Sequence, residues 1–224
     1  MSVDRRRSMS VLDRSGAKRD LKPTITVYCE GESTEYYYLN DFQLDHRSHD
    51  RNVKIVRKGS RIEEMVKEAI ERLKSVQKSK TAKDAGDSVW CVFDDDERPR
   101  IAEQRMALER EGVQVAFSNP CFELWALYHF RSSVGVLKSK QAQKELQSEK
   151  DMASYNHERG ARLKYDALKP RYEYAVSNAK NARLCRERDG DPHGNPSTTV
   201  HLLLEEIRRV GRDPDNYSKP QGCQ

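Results

Sequence analysis

Thr24-Ile25-Thr26-Val27-Tyr28-Cys29-Glu30-Gly31-Glu32 and Val89-Trp90-Cys91-Val92-Phe93-Asp94-Asp95-Asp96 are two apolar runs of strand type, and each ends in carboxylates. Two strands that end this way can bring their acids together at one edge of a parallel sheet. In open α/β sheets, ligands and chemistry gather at the carboxyl ends of the strands. Clustered carboxylates with no His or Cys beside them suit a hard, oxygen-seeking cation such as Mg²⁺. The two runs therefore outline a metal-dependent phosphoryl-transfer site.

Working outward, the pattern predicts strands at about 24–29, 53–56, 88–93 and 113–117. Between them it predicts helices from Ser33 to about Leu44, over 62–76, and near 100–111. Ser33 or Thr34 can cap the first helix, with Glu35 in its favourable first turn. The second helix is the clearest, because Ile62, Met65, Val66, Ala69, Ile70, Leu73 and Val76 recur on one stripe. Lys78 to Asp87 reads as a charged linker, and Gly112 as a C-cap. Ser118-Asn119-Pro120 turns into an aromatic-rich helix from Phe122 to Phe130. Strands alternating with helices are the mark of βαβ units and a mainly parallel, four-stranded α/β sheet flanked by helices.

After about residue 135 the pattern becomes helical, with helices expected near 138–150, 160–168, 171–187 and 198–210 and no further strand signal. Asn195-Pro196-Ser197-Thr198 reads as a turn and cap. The expected organisation is a basic arm over 1–20, an α/β domain over 21–135, a helical extension over 136–212 and a frayed tail over 213–224.

At 224 residues, with 36 % hydrophobic and 34 % charged residues, the chain is long enough for one large domain or a core with an appendage. Mean hydropathy is −0.95, and no apolar stretch approaches the ~20 residues that span a bilayer. The N-terminus lacks a hydrophobic signal core. The five cysteines show no CxxC pairing, and none of the six histidines stands at ligand spacing from a cysteine. This points to a reducing cytoplasm and away from structural zinc. A net charge of +5 makes a polyanionic partner plausible, beside the plain alternative of a basic protein with solvated charges.

Glu30-Gly31-Glu32-Ser33-Thr34-Glu35 places an acid at a strand end, a glycine for a tight turn, and a capped helix. The absence of GxGxxG and GxxxxGK[ST] argues against a dinucleotide or P-loop site. Helix-dipole enrichment explains Glu32 and Glu35 well, but Glu30 lies before the turn. Asp94 and Asp96, at i and i+2, point the same way from an extended strand end and can share one ion. A solvated acidic loop is the alternative for an isolated Asp triplet. Packing several carboxylates together without a cation raises their pKa values and costs stability.

CEGESTE (29–35), VFDDDE (92–97), FSNPCFELW with the nearby HF (117–130) and NPSTTVHLL (195–203) together resemble the RloB-like family. That family resembles the AbiL abortive-infection component. The first two motifs and the βαβ order also resemble, more distantly, the Toprim domain of OLD-family nucleases, primases and type IA topoisomerases. The resemblance implies a Toprim-like, Rossmannoid core with a helical C-terminal extension. It places the Toprim glutamate on Glu30, the DxD aspartates on Asp94 and Asp96, and a second glutamate on Glu35. Glu30, Asp94 and Asp96 would then hold Mg²⁺ or Mn²⁺, and hydrolysis of a phosphodiester in DNA or RNA is the natural reaction. The resemblance also implies a cytoplasmic role in phage defence, beside an ATPase encoded in the same locus. A non-catalytic subunit that binds nucleic acid or the ATPase is the alternative, and nucleotidyl transfer a third. Oligomeric state is not legible.

Four further groups of residues are candidates. Asn119 and Glu123 flank the turn at the carboxyl edge of the fourth strand, where Glu123 can join a metal shell or merely favour a helix start. Tyr36-Tyr37-Tyr38 cannot all face one site, so packing is expected. His129 reads as a helix-end histidine. Lys180, Arg183 and Arg186, at i, i+3 and i+6, can track a phosphate backbone or form an ordinary solvated face.

Overall fold

The computed structural model describes residues 23–31, 34–46, 52–58, 62–95, 100–160 and 162–211. The expected basic arm, Glu32, Ser33, Asp96 and the expected tail lie outside these residues. Strand β1 (Ile25–Cys29) is followed by helix α1 (Thr34–His46), β2 (Val53–Arg57) and α2 (Ile62–Lys78). Then come α3 (Lys80–Ala85), β3 (Ser88–Asp94), α4 (Ile101–Glu111), β4 (Gln114–Asn119) and α5 (Glu123–Leu127). The remainder contains α6 (Ser139–Ser148), α7 (Tyr165–Leu168), α8 (Tyr172–Arg188), β5 (Ser197–Thr198) and α9 (Val200–Gly211).

Among the described residues the strands form one five-stranded sheet in the order β2-β1-β3-β4-β5. The first four are parallel: Cys29 pairs with Arg57 and Val92, and Asp94 with Ser118. Both expected acid-ended runs are therefore neighbouring strands that point the same way. The ladder continues past their ends, where the Glu30 N–H donates to Val92 O at 3.1 Å and the Asp95 N–H to Ser118 O at 2.8 Å.

Side-chain alternation explains why β1 and β3 are apolar on both faces. Val27, Cys29, Trp90 and Val92 belong to one buried cluster, with Leu39 and Phe42 of α1 and Leu203, Leu204 and Ile207 of α9. Tyr28, Val89, Cys91 and Phe93 belong to another, with Met65, Ala69 and Leu73 of α2 and Leu108 of α4. Helices thus cover both sides, as a parallel sheet requires. The C-terminal helices share the first cluster with the sheet, so α9 closes over the same face as α1.

Three expectations need correction. The charged linker 78–87 contains α3, which buries no side chain. Its ends carry the helix signals instead: Ser79 Oγ accepts the Ala82 N–H at 3.2 Å, and Gly86 closes it in the left-handed region at φ 79°. The helix expected over 160–168 is reduced to α7, because Gly160 at φ 66° ends the preceding 3₁₀ turn and residues 162–164 are not helical. Finally, the sheet has a fifth strand where a turn and cap was expected. β5 runs antiparallel to β4, with Ser118 opposite Thr198. Two residues are too few to carry a period-2 signal.

Hydroxyls complete that short pairing. The Phe117 N–H donates to Thr199 Oγ1 at 3.0 Å, and the Thr199 hydroxyl donates to Val115 O at 3.2 Å. Replacing Thr199 with Val keeps the shape but leaves the buried Phe117 N–H without its acceptor. Urea unfolding should show Thr199→Val destabilised by about 1–3 kcal/mol, and a loss below a few tenths would mean that the hydroxyl is dispensable.

Candidate functional site: a buried acid cluster at the carboxyl edge

Glu30 follows β1 and Asp94 ends β3. Glu123 opens α5, just beyond β4, so all three stand at the carboxyl edge of the sheet. Glu35 joins them from α1. It lies three, four and seven residues before Tyr38, Leu39 and Phe42, on the buried stripe of that helix. Its carboxylate folds back over Gly31, where a Cβ would come within 1.7 Å of Glu35 Oε2. A side chain at position 31 would displace the Glu35 carboxylate from this place.

Glu35 is nearly inaccessible, and its carboxyl is raised to about 7. Burial is the largest cause, and the negative fields of Glu123 and Glu30 push in the same direction. Asp94 and Glu123 both act on the buried Cys121 thiol, which burial and these carboxylates hold far above its ordinary value. Glu30, Glu35, Asp94 and Glu123 are therefore electrically one neighbourhood.

Glu123 is only 2 % exposed and is held by side-chain partners. The Tyr155 hydroxyl donates to Glu123 Oε1, and His157 Nδ1 lies 2.9 Å from the same oxygen. Burial would raise this carboxyl, but hydrogen bonds from His157, Tyr155 and Cys121 outweigh it and hold Glu123 below its usual value. The bond to Glu123 in turn raises His157. With Nδ1 committed to Glu123, a half-exposed imidazole is held beside the acids, an arrangement able to hold or pass a proton.

Tyr155 and His157 were missed from sequence, since they lie in a short irregular segment more than thirty residues beyond Glu123. A Tyr-x-His pair interrupting a helical region was the only local signal. Glu123, by contrast, was already a candidate from sequence, and its Oε1 is engaged by Tyr155 and His157. Asn119 is engaged elsewhere: its side-chain amide donates to His193 O at 3.0 Å and its backbone pairs with Ser197. His129 is fully buried, with Nδ1 3.0 Å from Trp125 O and its pKa lowered to about 4 by burial, as a helix-end histidine would be.

Each cation of the expected phosphate-tracking row has an acid partner: Lys180 with Glu205 at 2.8 Å, Arg183 with Glu187 at 2.9 Å and Arg186 with Asp189 at 2.5 Å. Of the tyrosines, Tyr38 is buried against Phe122 and Tyr165, while Tyr36 and Tyr37 remain partly exposed.

Among the described residues, no three His, Cys, Asp or Glu side chains have the spacing to hold a metal ion. Asp96, the third expected ligand, falls outside them. The donor chemistry nonetheless suits a hard divalent cation. Oxygen donors stand at two neighbouring strand ends, and burial together with the fields of Glu123 and Glu30 keeps the Glu35 carboxyl protonated up to about 7.

That protonation has a measurable consequence. Glu35 ionises at 4.5 when unperturbed and at about 7 in the folded chain, so the native state binds the extra proton between these values. Its contribution is therefore greatest below pH 4.5 and is lost as pH rises towards 7. In EDTA, the stability difference between wild type and Glu35→Gln should shift in favour of the variant by on the order of 1–3 kcal/mol between pH 5 and pH 8. Parallel pH profiles in urea unfolding would refute this.

Residues 25–207 match the family described as RloB-like protein. No curated protein and no solved structure is matched. No helix among the described residues is long and apolar enough to cross a membrane. The family match runs from β1 into α9 and includes both acid-ended strands, Glu123 and His157, so the chain belongs to the RloB-like protein family.

Proposed function

We propose that this RloB-like protein is a Toprim-type, Mg²⁺- or Mn²⁺-dependent nuclease that hydrolyses phosphodiester bonds of DNA or RNA. The observation that supports this most is the convergence of Glu30, Glu35, Asp94 and Glu123 at the carboxyl edge of adjacent strands, with Glu35 protonated up to about 7. Such clustering is costly to a fold that gains nothing from it.

In this reading Glu30 and Asp94, with Asp96, hold the cation. When bound, the ion would neutralise charge on the phosphate and acidify water. The chain's own groups handle protons. Water attacks phosphorus, the bond to the leaving oxygen breaks, one proton leaves the water and one reaches the departing oxygen. Glu35 and the imidazole of His157, held by Glu123, are the groups at this edge able to accept and return them. The resemblance to abortive-infection components further supports a role in phage defence, beside an ATPase from the same locus and inside the cell.

The test is incubation of the full chain, with and without the ATPase, on DNA and RNA with Mg²⁺ or Mn²⁺. Metal-dependent cleavage is expected, reduced about 10²-fold or more in both Glu30→Gln and Asp94→Asn. Cleavage surviving both substitutions would reject this site. Binding without cleavage, unchanged by either variant, would instead make the protein a non-catalytic subunit.

A further inference from the structure

Two tyrosines and two arginines that the proposed chemistry does not use are gathered beside the acid edge. Tyr36 and Tyr37 directly follow Glu35 on the first turns of α1. Their rings meet edge to face, with centroids 5.3 Å apart at 77°. The Arg57 guanidinium lies over Tyr36 at 4.6 Å and within 5.9 Å of Tyr37. The Arg162 guanidinium covers Tyr37 at 3.3 Å. Both tyrosines are partly exposed and both arginines exposed, so the stack faces solvent rather than the core.

Its position is set by the fold. Arg57 is the last residue of edge strand β2 and lies in register with Cys29, one residue before Glu30. Tyr36 and Tyr37 are fixed by the buried residues on either side of them, Thr34 and Glu35 before and Tyr38 and Leu39 after. Asp41, one turn along α1, feels the field of Arg162 and marks the far end of the cluster. The tyrosine end thus adjoins the acids.

We propose that Tyr36, Tyr37, Arg57 and Arg162 form a stacking platform for the unpaired bases of single-stranded nucleic acid, placed to deliver an adjoining phosphate to the acid edge. Tyrosine rings and guanidinium planes accept bases by stacking without regard to sequence. The two positive charges serve the intervening phosphates. In a duplex the faces of the bases are already stacked on one another, so the platform selects single strands. The assignment of a nucleic-acid substrate rests on the nuclease reading, but the binding step can be measured without it.

The experiment is fluorescence anisotropy of labelled single-stranded DNA and RNA oligonucleotides, and of matched duplexes, with the full chain in EDTA so that no metal-dependent cleavage intervenes. Single strands should bind at least about tenfold more tightly than duplexes. Tyr36→Leu with Tyr37→Leu, which keeps apolar bulk but removes the rings, should weaken single-strand binding about tenfold or more, whereas the paired Phe variants should retain it. Equal binding of single strands and duplexes, no nucleic-acid binding at all, or full affinity in the Leu pair would overturn the platform. Glu30→Gln separates the two readings: it should bind single strands like wild type while losing any metal-dependent cleavage. Platform binding with no cleavage by wild type would reject the nuclease reading alone.

Discussion

The carboxylate of Glu123 is the point at which two parts of the chain are tied together. A buried ionised acid costs several kcal/mol unless hydrogen-bonded donors satisfy it. Here they come from Tyr155 and His157, on an irregular segment between α6 and α7. Meeting that electrostatic demand draws the segment over the carboxyl edge of the sheet, so that the edge is walled and an imidazole stands beside the acids. The same segment touches α1, since the Tyr155 hydroxyl also interacts with Thr34. The entrance to α1, the start of α5 and the helical region thus share one polar junction.

Charge is distributed unevenly around that junction. The chain carries a net +5, yet the carboxyl edge is acidic and Glu35 holds its proton up to about 7. Many basic residues elsewhere are committed to ion pairs at the surface, including Lys180, Arg183, Arg186 and Arg208. Such pairs contribute little stability individually, but they divide the positive potential that a simple count would assign to one face. Arg57 and Arg162 stack on aromatic rings next to the acids.

Much of the sheet was legible because its strands are short apolar runs with abrupt polar ends. The α2 stripe likewise repeats often enough to leave little doubt about its buried face. Glu35 was a candidate through the family resemblance alone, and the helix-dipole reading of its first-turn position did not anticipate its burial on the stripe of Tyr38, Leu39 and Phe42. Elements without periodicity were not legible. α3 is set by its caps alone, and β5 depends on hydroxyls of Thr198 and Thr199 meeting a strand some eighty residues earlier. Asn119 illustrates the same limit from the other side. Its type and place suited a site, but its amide is used to hold the loop before β5.

By itself the sequence determined the order of the four parallel strands and of the periodic helices between them, the acids at the ends of β1 and β3, and the family, because each is written in contiguous residues. Only the tertiary structure decided which acids are buried together, that Glu123 is held by Tyr155 and His157, and that Tyr36 and Tyr37 meet Arg57 and Arg162. These are contacts between segments far apart in the chain. Their energies depend on burial and on distances of a few ångströms, neither of which a local pattern encodes.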